Sequence, residues 1–164
     1  MTASSTRMRQ IMDVSSAIWG GIIAGTAFLL VQMAMAVWVL GSSPWVVFRW
    51  LAAIVLGEGV LPPPAGFNLL IFMIGLVIHY ATSIGAALLL AFIIHRWGLI
   101  VGIVGGALFG LALYAVNYYT LTFFFPWFFL IRNWAMVVGH IMFGALAGGI
   151  YEALEVEEFE PIED

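Results

Sequence analysis

The chain has 164 residues, 64% hydrophobic and 9% charged, with a mean hydropathy of +1.11; soluble domains carry about 25% charged residues. An ordinary water-soluble core is excluded. Cysteine and lysine are absent, so this chain alone builds no disulfide framework, thiolate nucleophile, zinc knuckle or iron–sulfur site. The formal charge of −4 reflects seven acids among residues 152–164. The acidity belongs to a tail, and no basic face for nucleic acid is available.

Four stretches without Asp, Glu, Lys or Arg divide the sequence, bounded by Asp13 and Arg49, Glu58 and Arg96, Arg96 and Arg132, and Arg132 and Glu152. Each is long enough for the ~20 apolar residues that cross a bilayer as a helix. Continuous hydrophobicity without alternation disfavours strands. The expected fold is therefore an all-α integral membrane four-helix bundle over residues 17–152.

The N-terminal segment, residues 1–16, carries Arg7 and Arg9 ahead of an apolar run over 17–40. That run exceeds the ~7–15 residues of a cleaved signal's apolar region. A retained signal anchor is expected, with Ala34-Met35-Ala36 left uncleaved. Span 1 ends at Gly41-Ser42-Ser43-Pro44, which stops a helix. Residues 44–60 are apolar but too short to span, contain Arg49 and Glu58, and run into Pro62-Pro63-Pro64. They predict an interfacial or re-entrant helix, its charges either solvated or paired.

Span 2 is expected over 68–94 and span 3 over 98–118, joined by the His95-Arg96-Trp97 turn. So short a turn predicts that the two pack as an antiparallel hairpin. Residues 120–129 hold five Phe, a Trp and Pro126, a density suited to a membrane–water boundary. Span 4 is expected over 130–151, capped by Asn133, followed by an acidic tail over 153–164 that is disordered at its end. Four spans put both termini and Arg96 on one side, with Arg49 and Arg132 on the other. Three arginines against two favour both termini inside.

Gly98, Gly102, Gly106 and Gly110 recur every four residues on span 3, with Gly144 and Gly148 on span 4 and Ser16, Gly20 and Ala24 on span 1. Such stripes let helix backbones approach closely in lipid, within one subunit or between subunits. His79 and His140 are expected at similar depth on spans 2 and 4, where ionisable groups are costly and face a bundle interior. They either hydrogen-bond to Gln32, Ser83, Asn117 or a carbonyl, ligate a b-type haem axially, or relay protons or solute. No Walker loop, dinucleotide fingerprint, metalloprotease motif or Ser/His/Asp set occurs.

Several local sequences stand in a suggestive order: Ile78-His79-Tyr80, the glycine-rich run from Trp97 to Ala107, the link Phe125-Pro126-Trp127, and Val138-Gly139-His140-Ile141-Met142-Phe143-Gly144 before Tyr151-Glu152. In that order this half of the chain resembles the YagU-like inner-membrane proteins of bacteria. The resemblance implies a bacterial cytoplasmic-membrane location and importance for His79 and His140, and it implies no reaction. The sequence as a whole reads as a non-catalytic accessory, assembly or scaffold subunit, self-associating or held in a larger membrane complex. The alternatives are a haem-binding electron-transfer subunit using His79 and His140, and a small transporter with a polar interior around Gln32, His79, Asn117 and His140.

Overall fold

A computed structural model describes residues 8–161; Arg7 and residues 162–164 lie outside it. The described residues form six α-helices: α1 (Val14–Trp38), α2 (Val46–Leu56), α3 (Leu69–Ile94), α4 (Gly98–Ala115), α5 (Trp127–Leu130) and α6 (Trp134–Leu154). At its C-terminal end α4 runs on through a π turn, Val116–Thr120, and a 3-10 turn, Leu121–Phe123. Four of these segments, α1, α3, α6 and Gly98–Phe123, are long and apolar enough to cross a membrane.

Helix starts follow local chemistry. Asp13, Asn68 and Asn133 each accept a hydrogen bond from a backbone N–H in the first turn of α1, α3 and α6, satisfying donors that have no partner within the helix. Asn133 also donates to the Ile131 carbonyl at 2.9 Å, so it braces the preceding loop as well. Gly98 opens α4 with φ +77°. A Cβ added there would meet nothing within 4 Å. Gly98 is thus a turn residue and does not belong to the packing stripe expected of it, because a left-handed backbone is what turns α3 into α4.

Close packing is set by small residues. Gly102 faces Gly148, Gly106 faces Gly144 and Gly110 faces the His140 carbonyl, so α4 and α6 run antiparallel with backbones touching. On α1, Gly20 lies against Ala147 while Gly21 and Gly25 lie against Ile84 and Ser83. Helix α1 therefore sits between α6 and α3, presenting a different small-residue face to each. The core follows these seams, with Ala17, Ala24, Ala91, Ala147 and Tyr151 almost wholly buried.

Consecutive in sequence, α3 and α4 nevertheless pack on different partners, α3 on α1 and α4 on α6. The expected hairpin packing is thereby corrected. A short turn forces two helices to be neighbours at one end only, and the glycine seam draws α4 onto α6 instead. Between α3 and α4 the bundle has an open side.

Helix α2 lies across α3 at the loop end of the bundle, burying Val47, Phe48, Ala52 and Ala53. Gly75 on α3 makes room for it, since a Cβ there would stand 2.7 Å from the Phe48 carbonyl oxygen. Arg49 donates to the Val60 and Gly66 carbonyls at 2.9 and 3.2 Å, bracing the proline-rich loop with its charge. At the same end, the Arg132 guanidinium lies over the Phe129 ring, 3.7 Å from its centroid, a favourable placement of a cation on a π face.

At the opposite end the termini meet. Strand β1 (Met8–Ile11) pairs antiparallel with β2 (Glu158–Pro161), Met8 opposite Pro161 and Ile11 opposite Glu158. Four helices bring both chain ends out side by side, so the acidic tail is ordered as far as Pro161; the end of the tail, residues 162–164, lies outside the described residues. Asp13 fastens the junction: its carboxylate accepts from the Ser16 hydroxyl at 2.7 Å and the Val156 N–H at 3.2 Å. Chiefly through the Ser16 hydroxyl, these donors hold its carboxyl below the usual aspartate range.

Candidate functional site

A cavity of about 210 Å³ lies inside the loop half of the bundle. It is walled by α1, α3, the end of α4 and α6, and closed above by α2 and the aromatic link. There the Trp127 indole N–H donates to the Trp50 carbonyl at 3.0 Å, tying the link to α2. The rim between α3 and α4 is formed by Thr82, Ala86, Leu113 and Leu121, of which Thr82 and Leu121 are exposed. The cavity therefore opens sideways, through the open face of the bundle.

Most of the lining is apolar, and its polar groups come from four helical segments. His79 on α3 is 3% exposed, and its Nε2 stands 2.8 Å from the Gly25 carbonyl oxygen of α1. Only the Nε2-protonated imidazole donates this bond. Gly25 is what permits the approach, because a Cβ there would lie 2.9 Å from the Ser83 side chain and 3.6 Å from His79 Nε2.

His140 on α6 takes the opposite tautomer. Its Nδ1 stands 2.7 Å from the Met136 carbonyl oxygen, to which it donates, leaving Nε2 to accept from Asn117 Nδ2 at 3.2 Å. Asn117 lies on the π turn. Such a turn carries an extra residue and re-aims the side chains around it; here it directs Asn117 and Tyr118 toward α6. Rings of Phe28, Tyr114 and Tyr118 surround the His140 imidazole edge to face, with centroids 4.6, 5.6 and 5.6 Å away.

Gln32 completes the set. It is 8% exposed and lines the cavity, and its Oε1 is buried with no hydrogen-bond partner among the described residues. An orphaned buried acceptor costs about 1–3 kcal/mol.

The four residues expected to form a polar interior, Gln32, His79, Asn117 and His140, thus share one cavity. Measured against α1 the two histidines come to a similar level: His79 meets Gly25, and Gly139 beside His140 meets Phe28. The Phe28 ring packs against both imidazoles. Axial haem ligation would require breaking both Nε2 hydrogen bonds and displacing that ring, so the donor set does not fit a haem.

Gly102, Gly106, Gly110, Gly144 and Gly148 lie outside the cavity lining and are engaged within the chain. Among the described residues no three His, Cys, Asp or Glu side chains are grouped to hold a metal ion. Sequence reasoning missed Phe28, Tyr114 and Tyr118 as companions of His140; Phe28 and Tyr114 reach it from other helices, and Tyr118 through a π turn, which leaves no periodic signal. Comparison with protein-family models, curated proteins and solved structures finds no match.

Proposed function

We propose that this chain is a four-span integral protein of a bacterial cytoplasmic membrane whose role is to bind a small molecule within the bilayer, without catalysis. The single observation that carries the reading is Gln32: an uncharged acceptor, nine-tenths buried and without a hydrogen-bond partner among the described residues, on the wall of a cavity where polar groups from α1, α3, the end of α4 and α6 converge. Polar groups inside a span are expensive and by default functional. A mostly apolar pocket with a few convergent polar groups is the usual form of a ligand site. In the sequence Arg7, Arg9 and Arg96 fall on the side of the termini against Arg49 and Arg132 on the other, which supports an orientation with both termini inside, and the resemblance to YagU-like proteins supports the location.

The glycine stripes that suggested an accessory or scaffold subunit are engaged between α4 and α6 of the same chain, so assembly with a partner would need another surface. Binding accounts for the cavity, the tautomer-specific histidines and the orphaned amide together. The test is native mass spectrometry of protein released from nanodiscs. Wild type should retain a small molecule that Ala86→Trp, which fills the cavity from α3, loses without a change in helical content. Identical spectra for the two proteins would overturn the proposal.

A further inference from the structure

Resting on that reading, we infer that the ligand is a membrane-dissolved, uncharged amphiphile with a hydroxylated aromatic head, a long-chain phenol in chemical class, which enters sideways between α3 and α4. Three observations combine. The first is the mouth. Helices α3 and α4 hold to α1 and α6 respectively, and Thr82 and Leu121 stand exposed at the rim between them. Both rim residues belong to segments long and apolar enough to span. A molecule reaching the cavity by this route comes out of the hydrocarbon layer, and charge there is costly.

Size is the second. A cavity of 150 Å³ accommodates a benzene ring, and the 210 Å³ here holds one substituted ring. Any alkyl or isoprenoid chain must then trail through the mouth into lipid. Phe28, Tyr118, Phe125, Phe128 and Phe143 line the cavity, and aromatic rings pack well edge to face or offset against another ring.

The third is hydrogen-bond polarity. Gln32 Oε1 is buried without a donor among the described residues, and a head that donates, as a phenolic hydroxyl does, would satisfy it. The terminal amide torsion of Gln is soft, which lets Oε1 turn toward that hydroxyl. Each histidine Nε2 already has its partner, and neither competes for the head. With no free cation or carboxylate among these groups, the head is neutral.

The experiment uses the full chain in lipid nanodiscs and a diazirine-tagged long-chain alkylphenol, with the matched methyl ether as competitor. Mass spectrometry should place the crosslink on cavity residues of α1, α3 or α4. Unlabelled phenol should compete about tenfold better than its methyl ether, which corresponds to one buried hydrogen bond of about 1.4 kcal/mol. In Gln32→Leu that preference should vanish, and Thr82→Trp at the rim should suppress labelling while leaving helical content unchanged. Labelling that Thr82→Trp leaves untouched overturns lateral entry, and equal competition by phenol and ether in wild type overturns the donating head. If the phenol fails to label the cavity while Ala86→Trp still loses a retained molecule, the phenol inference fails and the intramembrane binding reading stands. If no molecule is retained and no probe labels, both fail.

Discussion

The two halves of the α4 and α6 pair are built from opposite materials. Toward the termini, Gly102, Gly106, Gly144 and Gly148 bring the backbones into contact and leave no room between them. Toward the loops, the residues that follow at the same helical spacing, Tyr114 and Tyr118, are large, and the helix passes into a π turn. One pair of helices is thus sealed at one end and opened at the other. Small residues maximise van der Waals contact where only cohesion is needed, while rings and amides leave a cavity of the mostly apolar kind that ligand sites use. The contrast teaches that glycine spacing alone does not locate an interface between subunits, because an internal partner can satisfy it.

The sealed half should break hardest. A Cβ at Gly144 would collide with the Gly106 carbonyl oxygen, which is backbone and cannot move aside. Gly144→Ala should cost about 1–3 kcal/mol and Gly144→Val more, read as a lowered thermal midpoint in nanodiscs. Gly85→Ala, where a Cβ meets nothing within 4 Å, should stay within about 0.5 kcal/mol of wild type. Equal losses at the two sites would refute the seam.

In the open half the effects should be smaller and should fall on binding. Asn117→Leu leaves His140 Nε2 without its donor, and a loss of about 1 kcal/mol is expected. The π turn should persist, checked by an unchanged helical circular dichroism band. Gly25→Ala would push Ser83 aside and strain the 2.8 Å bond from His79 to the Gly25 carbonyl. Retention of the bound molecule should drop several-fold while stability changes by less than in Gly144→Ala. Loss of stability without loss of binding would argue that His79 is structural only.

The smallest effect lies outside both halves, at Asp13. Its folded pKa is depressed, chiefly by the Ser16 hydroxyl, so its contribution is present above the ordinary aspartate value of about 3.9 and disappears as pH falls through the lower folded value. Asp13 is partly exposed, and solvent screening keeps that contribution small. Stability measured from pH 7 to below pH 3 should dip slightly in wild type, and the Asp13 component should be absent from the profile of Asp13→Asn, which keeps a cap but cannot ionise. A matching acid dip in the variant would assign it to the tail glutamates.

How much could be read in advance differs between the halves. The long apolar helices, the cap at Asn133 and the glycine spacing are local properties, carried by residues near one another in the chain. The four polar residues could also be named beforehand, since Gln32, His79, Asn117 and His140 interrupt otherwise apolar runs. Their tautomers and partners could not, because His79 answers to Gly25 and His140 to Asn117, each on another helix.

Composition and periodicity thus dictated helices long enough to cross a bilayer and an interior with few polar groups, since both follow from side-chain chemistry along a single segment. Which helices touch came from packing in three dimensions. The backbone seam between α4 and α6 outweighed the short turn joining α4 to α3, and that choice opened the side of the bundle on which the cavity lies. Even the pairing of β1 with β2 depended on it, because a polar, acidic tail has no reason to form a strand until the bundle delivers Met8–Ile11 beside it.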